Sequence, residues 1–508
     1  MTGASVQEAA VADSTAAHPI QVQGHLGQAA VSEDNLKNSY FKMIKNSLIV
    51  LSLSAAYFVN AQDVSTLRNT VEVYSNSSLN GSSKYNAMAG SMGALGGDFS
   101  TLTSNPAGIG VSIASEFSGT LGIEANKNTT TYAGKSADYK VNNTDLGNVG
   151  GVAVFPVSGS TPWKFVNVSV NYSNQSIENY SETPGNSNLI YEIRDADNAL
   201  VDELAFAGHA YNRYGNLSKT SIGVGGNYNN RLYVGAGLNF HNSVLDQYDS
   251  AAFTDNTNVT DVYDKQYTPF SESANGFSAS VGVIGKINPQ FRLGASIETP
   301  TWWSIARVYS EYENPVDGTY TEDRRLSSPM KATLSAAYVP NKNFAINVDY
   351  SLGLTKPKYK VYGDAETELN SFFDQNSKNL SEVKVGAEYR IAAFRLRGGY
   401  GFASSPFDSM SISTLSDIGT SANTSYDNLI LGKRNTVGAG IGYDFKSFFI
   451  DAAYQNVNSE YSSPFLRGSA ANNMGYFSNN YIVESDASVV SNVKNTKDNF
   501  FITLGWKF

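Results

Sequence analysis

The sequence contains no cysteine and only four histidines in 508 residues. Without cysteine, neither a disulfide framework nor a thiolate metal site can form. Two of the histidines, His209 and His241, lie beyond residue 61, which is too few for a multi-histidine metal site. No GxSxG motif and no paired catalytic groups accompany them. The sequence therefore predicts a protein that is not an enzyme and that uses no metal or other cofactor.

Clustered positive charge is also missing. The formal net charge is -10, and no basic block is present to neutralise phosphates. Nucleic acid is therefore excluded as a partner. A dinucleotide site requires a glycine motif that opens a helix. The three GxG runs of this sequence, at 235–237, 399–401 and 438–440, lie instead inside predicted strands. We interpret them as strand glycines.

Long apolar runs are absent, with one exception near the start of the chain. Residues 47–59 are apolar, Lys42 and Lys45 precede them as a positive region, and small residues lead up to Ala61. This pattern predicts a signal peptide over 43–61 with cleavage after Ala61. A membrane anchor is the alternative, but the run is shorter than the ~20 residues that a spanning helix needs. We interpret residues 1–42 as an over-extended start that takes no part in the fold.

The chain is instead rich in tyrosine, phenylalanine and glycine, with 31, 26 and 44 residues. This composition, without helical periodicity, favours β-structure. An even number of strands is typical of single-chain outer-membrane barrels. We predict an all-β fold, a membrane-spanning antiparallel β-barrel of about 14 strands over residues 114–508. The predicted strands are 114–126, 147–157, 163–174, 219–228, 231–243, 274–287, 291–299, 329–339, 344–353, 380–391, 394–403, 434–444, 448–456 and 498–508.

The connections between these strands alternate in length. Long polar segments are predicted as loops at 127–146, 175–218, 244–273, 300–328, 354–379, 404–433 and 457–497. Short turns separate them, which predicts a periplasmic end with turns and an outer end with loops. The chain is therefore expected in the outer membrane of a Gram-negative bacterium, in contact with its lipid and lipopolysaccharide.

Charge is sorted by the alternation. In 231–243, 344–353 and 380–391, one face is apolar and the charged residues occupy the other. A cation facing lipid at the bilayer midplane costs about 2–4 kcal/mol, so the charged face is predicted to line the lumen. The last strand carries Phe500, Ile502, Leu504, Trp506 and Phe508 on one face. Trp163 and Trp506 are predicted near the periplasmic ends of a girdle, and Trp302 and Trp303 at its outer rim.

One stretch, 84–110, precedes every predicted strand and does not alternate. It is rich in glycine, alanine and serine, and it predicts a compact plug inside the barrel. Its runs 93–98 (GALGGD) and 104–107 (SNPA) resemble the N-terminal hatch of the FadL/TodX family of outer-membrane channels for hydrophobic compounds. The resemblance implies a hatch, here over 62–113, with the NPA segment inside the lumen. The terminal Phe508 resembles the signal by which barrel-insertion machinery recognises its clients.

The resemblance also implies where a substrate meets the chain. The hatch is expected to supply the gate or pocket residues Phe99, Leu102, Asn105, Pro106 and Ala107, with Gly96, Gly97 and Asp98 beside them.

An outer loop is expected to supply a docking groove. The segment 189–210 shows helical spacing, and the groove residues would be Leu200, Val201, Leu204 and Phe206. Packing against neighbouring loops is the alternative. The family's lateral exit at a kinked third strand is not expected, because 163–174 is regular and has no glycine. A gap near 150–156 is predicted instead.

A charged group follows two neighbouring predicted strands. It consists of Glu382, Lys384, Glu388, Arg390, Arg395 and Arg397. The group either binds an anionic headgroup or braces the barrel wall, and Glu388 and Arg397 are placed for cross-strand pairing.

The sequence thus favours a channel for passive uptake of hydrophobic or amphipathic small molecules similar to long-chain fatty acids, gated by the hatch. A barrel scaffold in a secretion or surface-protein machine is the main alternative. A haem receptor that ligates iron through one His or Tyr is another.

Overall fold

Fourteen strands pair side by side and close into a ring. Each of β1 to β14 runs antiparallel to the next, and β14 pairs with β1. The expected antiparallel β-barrel of about 14 strands is confirmed. The strands are β1 Glu116–Tyr132, β2 Lys135–Pro156, β3 Trp163–Ser176, β4 Leu200–Tyr228, β5 Leu232–Thr254, β6 Phe270–Lys286, β7 Phe291–Glu298, β8 Lys331–Asn341, β9 Phe344–Gly353, β10 Ser381–Ile391, β11 Phe394–Ala403, β12 Arg434–Asp444, β13 Phe448–Phe465 and β14 Val489–Lys507.

The computed structural model describes residues 64–75, 80–195, 197–312, 318–468, 475–479 and 481–508. The interpreted start over 1–42 and the predicted signal peptide over 43–61 lie outside the described residues. Among the described helices, none is long and apolar enough to cross a membrane.

The predicted faces of the strands are confirmed. On β5, Leu232, Leu238 and Phe240 are exposed on the outside, whereas Tyr233 and Asn239 are buried on the inside. The predicted rim position of Trp303 is wrong. Trp302 is exposed, but its neighbour Trp303 points inward and contacts the Tyr74 ring, with centroids 5.0 Å apart. Successive residues of a strand must face opposite sides, so the two tryptophans cannot share the girdle.

The two ends of the barrel differ. One end, here called the short-turn end, carries short connections at 157–162, 229–231, 287–290, 342–343, 392–393 and 445–447. The opposite long-loop end carries longer segments with their own structure. The predicted loop over 127–146 is wrong, because β1 and β2 continue through it and meet at Ala133 and Gly134. Both turn residues have positive φ, 47° and 72°, as a two-residue hairpin turn requires.

The long-loop end contains most of the remaining elements. These are the helix α1 (Val64–Glu72), the helix α3 (Ala365–Asn376) and the strands Asn179–Arg194, Thr260–Lys265, Trp302–Glu311, Gly318–Ser327, Lys358–Lys360, Met410–Leu415, Ser421–Tyr426, Tyr476–Phe477 and Ile482–Val483. The predicted helix over 189–210 is wrong. It divides between the strand Asn179–Arg194 and β4, which pair with each other.

Helix α1 lies inside the long-loop end of the barrel. Its Leu67 and Val71 join a buried cluster with Phe372, Phe373 and other loop residues. Polar contacts add to this packing. Arg213 Nη2 lies 3.1 Å from Glu72 Oε2, and Arg213 Nη1 donates to Asn69 Oδ1 at 2.8 Å. Together with the loops, α1 covers this end of the lumen.

Candidate functional site

Residues 80–112 form a folded plug inside the lumen. The segment contains helix α2 (Ser83–Ala87) and two 3₁₀ helices, Phe99–Thr103 and Pro106–Val111. Each begins with a small polar cap, because the side chains of Ser82, Asp98 and Asn105 accept hydrogen bonds from backbone N–H groups. Short capped turns therefore replace a long periodic element, which explains why the sequence here does not alternate.

Glycines of the wall make room for the plug. A Cβ on Gly399 of β11 would lie 2.6 Å from the Ala89 nitrogen, and one on Gly235 of β5 would lie 2.6 Å from the Ala107 nitrogen. A Cβ on Gly438 of β12 would lie 2.5 Å from the Ala87 carbonyl oxygen. These residues belong to the three GxG runs, which face the lumen as interpreted. They serve as the seat of the plug backbone.

Hydrogen bonds fix the plug to the wall on several sides. Asn347 on β9 donates to Ser91 Oγ at 2.9 Å, and the Gly93 N–H donates to Asp349 Oδ2 at 3.1 Å. On β14, Thr503 Oγ1 accepts from the Ser83 N–H at 2.8 Å. The plug is therefore hydrogen-bonded to two separate strands of the wall, β9 and β14.

The predicted gate residues are all in the plug, in different roles. Asn105 is fully buried, caps the second 3₁₀ helix, and donates to the Gly93 carbonyl at 2.8 Å. Pro106 and Ala107 lie against Gly235 of β5. Phe99 is buried beside Gly150 of β2, and Asp98 accepts from Ser82 Oγ at 2.7 Å.

Leu102, Gly96 and Gly97 are the predicted gate residues that line a cavity. Leu102 lines one toward the long-loop end, and Gly96 and Gly97 line another toward the short-turn end. The structure therefore divides the predicted gate residues between two cavities and an anchoring region.

The outer cavity, on the long-loop side of the plug, has a volume of about 170 Å³. Part of its lining is apolar, with Tyr74, Leu102, Trp303 and Leu380. Burial raises the pKa of Tyr85 in the plug, so its phenol stays neutral beside the cavity. The charged residues of the lining are Lys219, Glu298, Lys331, Asp349, Lys356, Lys378, Glu382, Lys384 and Arg434.

The inner cavity, on the short-turn side of the plug, has a volume of about 310 Å³. The segment 84–92, here called the septum, separates the two cavities. Tyr85, Ala89 and Gly90 face the outer cavity, whereas Met88 and Met92 face the inner one. The septum is therefore the partition between the two cavities.

The predicted charged group divides into three parts. Glu382 contacts Lys384 at 2.9 Å and Arg434 at 3.2 Å beside the outer cavity. Nearer the short-turn end, Arg397 Nε contacts Glu388 Oε2 at 2.7 Å, as the expected cross-strand pairing requires.

The remaining members lie closest to the short turns. Arg390 also contacts Glu388, at 2.7 Å, and Arg395 contacts Asp444 at 3.3 Å. These contacts are ion pairs between residues of the barrel wall.

The four predicted groove residues do not lie together. Leu204 and Phe206 are buried in a cluster of loop side chains, whereas Leu200 and Val201 are about half exposed. The first pair packs against neighbouring loops. The predicted gap near 150–156 is wrong, because β2 pairs residue by residue with β3 from Asn148 to Pro156.

Several cavity residues were missed from the sequence. Lys219 on β4 contacts Glu298 on β7 at 2.9 Å, and His241 on β5 lines the outer cavity beside them. Alternation places each of them inward, but strand neighbours are needed to bring them together. His209 lies elsewhere, buried against Asp249 with Nε2 and Oδ1 2.9 Å apart.

A closed 14-stranded barrel with a folded plug in its lumen defines a class of plugged β-barrels. The crystal structure of the P. putida toluene transporter TodX is similar, with a TM-score of 0.52 and 13% identity over 86% of this chain and 99% of that chain. The crystal structure of a Pseudomonas aeruginosa FadL homologue is also similar, with a TM-score of 0.53 and 12% identity over 85% of this chain and 99% of that chain. No family model and no curated protein matches the sequence. The chain thus has the FadL/TodX fold, and the expected resemblance is confirmed at the level of the fold.

Proposed function

We propose that this protein is an outer-membrane channel for the passive uptake of amphipathic small molecules, gated by its plug. The observation that carries the proposal is the lumen itself, where the septum separates two cavities. A folded plug in a wall of apolar outward faces is suited to controlled passage rather than to catalysis. The similar folds belong to proteins described as a toluene transporter and a FadL homologue.

The lining of the outer cavity bears on the substrate. A path for a purely hydrophobic compound is expected to be apolar, but Lys219, Lys331 and Lys384 line this cavity together with Trp303 and Leu102. Mixed lining suits a molecule with an apolar body and a polar end. We therefore favour amphipathic substrates over plain hydrocarbons.

The septum is the part of the plug that we propose to move. Ala89 has a φ of 51° and Gly90 a φ of 76°, so the chain turns through left-handed conformations there. Such a conformation is unfavourable for alanine and recurs at functional sites. Asn105, Pro106 and Ala107 are packed on wall backbone and would remain in place. The resemblance instead implied displacement at Asn105–107, and the two possibilities can be tested separately.

An engineered disulfide tests the moving septum. A Cβ on Gly401 of β11 would lie 3.8 Å from the Ala89 Cβ, which is the usual separation in a disulfide. Because the chain has no cysteine, Ala89→Cys with Gly401→Cys creates a single possible bridge. In proteoliposomes loaded with an amphiphile-binding dye, oxidation should reduce uptake of a fatty acid at least tenfold, and reduction should restore it.

The two single-cysteine variants are the controls, and both should transport equally with and without reductant. Full uptake by the oxidised double variant would contradict gating by the septum. A second bridge placed in the Asn105–107 region would then test the gate implied by the resemblance.

A non-transporting scaffold is the second candidate function, and the charged outer cavity together with the structured long-loop end favours it. A scaffold would retain a partner protein and give no uptake with the reduced double variant. Lipopolysaccharide contact and recognition of Phe508 by insertion machinery are compatible with both functions and stay predictions.

A further inference from the structure

We infer that the inner cavity is a second binding site, for an amphiphile with one anionic headgroup, and that Arg292 holds the headgroup. The inference rests on the proposed function in taking this cavity as the exit side of the path. Its volume of about 310 Å³ lies at the lower end of the range for small-molecule sites.

One side of the cavity suits an apolar chain. Met88, Met92 and Leu95 of the plug line it together with Val111 and Phe344. Methionine side chains are flexible and polarisable, so they adapt to chains of different length and shape. This side therefore provides contact without demanding one exact ligand.

The other side is cationic. Lys84, Arg292, Lys342 and Arg390 line the cavity, whereas Glu388 is the acidic residue of its lining. Glu388 is already engaged, because Arg390 and Arg397 both contact it at 2.7 Å. The lining therefore has an excess of positive charge that its own carboxylate does not balance.

Among the cations that line this cavity, Arg292 is distinguished by a buried donor atom that has no acceptor. Its Nη1 donates to the Leu95 carbonyl at 3.0 Å, but its Nε is buried without a hydrogen-bond partner. Among the described residues, no carboxylate lies within ion-pair distance of it. A buried donor atom without an acceptor costs free energy. A carboxylate, sulfate or phosphate headgroup would supply the missing acceptor, and guanidinium binds such groups through paired hydrogen bonds.

The same contact links the site to the plug. An anion that binds Arg292 through Nε lies next to the Nη1 contact with the Leu95 carbonyl, which belongs to the segment that follows the septum. Gly96 and Gly97, with φ of 64° and 72°, come directly after Leu95 and can absorb a change in its position. Occupation of the inner cavity is thereby coupled to the conformation of the plug.

Binding of octanoate and of neutral 1-octanol to the purified protein in lipid nanodiscs tests the inference. Isothermal titration calorimetry should show tighter binding of octanoate. Arg292→Gln should weaken the binding of octanoate at least tenfold and change the affinity for octanol by less than twofold. Arg292→Lys, which keeps the charge but not the fork of donors, should lie between them. Arg231→Gln, an exposed arginine at a short turn, is the matched control and should bind as the unchanged protein does.

A variant that fills the cavity provides an independent test in case Arg292→Gln misfolds. Ala345→Trp leaves Arg292 in place but occupies the space beside it, and it should abolish octanoate binding. Unchanged octanoate affinity in Arg292→Gln or Ala345→Trp, or equal affinity for octanol and octanoate, would overturn the inference.

The bridged variant separates this inference from the proposed function. The oxidised bridge between residues 89 and 401 should stop uptake and leave Arg292-dependent binding intact, because the inner cavity opens toward the short-turn end. Arg292-dependent binding without uptake in any variant would remove the channel function and retain the site. Uptake that is unaffected by Arg292→Gln, with no octanoate binding, would retain the channel function and remove the site.

Discussion

Single glycines decide how closely the plug approaches the wall. Gly399 faces the septum backbone, and its neighbour Gly398 faces outward with no atom closer than 3.8 Å to a built Cβ. The two positions therefore differ in surroundings while sharing a strand. Substitutions at the two positions can therefore be compared. Both replace a strand glycine, which strands generally disfavour, but only the one at Gly399 takes space that the plug needs.

Replacing Gly399 with alanine is predicted to unseat the septum. The added methyl group would meet plug backbone, which cannot rotate away as a side chain can, and overpacking of this kind costs about 1–3 kcal/mol. Liposome-swelling assays should show faster entry of small sugars, and the midpoint of thermal unfolding should fall.

Gly398→Ala is the control and should change neither measurement. Tight closure in Gly399→Ala, with an unchanged midpoint, would mean that the plug is held without this contact.

Elements at the long-loop end depend on buried polar contacts as well as on apolar packing. Helix α1 places Glu72 against Arg213, whose side chain is 1% exposed. The partner carboxylate is 29% exposed, so solvent screens the pair on one side. The contact joins α1 to β4 and so helps to hold the cover of the lumen.

Glu72→Gln is predicted to destabilise the cover by about 1–3 kcal/mol, because it leaves a buried guanidinium with a weaker acceptor. Hydrogen exchange should become faster in α1 and in the neighbouring loops before it changes in the barrel. Glu192→Gln removes the partner of Arg194 in an exposed pair and should have no measurable effect. Uniform protection in Glu72→Gln would show that apolar packing alone fixes the helix.

The strand alternation that predicted the barrel wall could not predict its outer extensions. Within the bilayer-sized part of each strand, apolar and polar residues alternate, and all fourteen predicted strands overlap real ones. Over 127–146 both faces are polar, so the alternation carries no hydrophobic signal although β1 and β2 continue through it. Leu200 and Leu204 fit helical spacing, but Leu204 and Phe206 share the buried face of a strand.

The site was predictable as a segment but not as a pair of cavities. Composition alone indicated a plug near 84–110. Which plug residues face a cavity depends on contacts with wall residues hundreds of positions away, such as Asn347 for Ser91. Arg292 gave no signal in the sequence, because an inward arginine on a strand is ordinary until its neighbours are known.

The whole molecule places apolar side chains outward around the ring. Val348 lies near the middle of the outward apolar face of β9 and is 41% exposed, whereas Val262 lies in a strand of the long-loop end and is 61% exposed. If the ring is surrounded by lipid, the two positions are in different solvents although both are exposed.

Val348→Arg is predicted to destabilise the folded barrel in lipid vesicles by about 2–4 kcal/mol, because the cation would face hydrocarbon. Urea titration of vesicle-inserted protein measures the change. Val262→Arg should be close to neutral. Similar values for both variants would contradict the proposed position of the membrane around the strands.

The seam between β1 and β14 has a consequence for the order of assembly. Glu116 to Thr131 pair with Lys507 to Asn492, so the last strand of the chain joins the first barrel strand. The plug precedes β1 in the chain and is bonded to β14 through Ser83 and Thr503. A closed ring of hydrogen-bonded strands has no opening in its wall through which the folded plug could pass. Lateral entry through the closed wall is therefore excluded, and we expect the plug to lie in place before the seam between β1 and β14 forms.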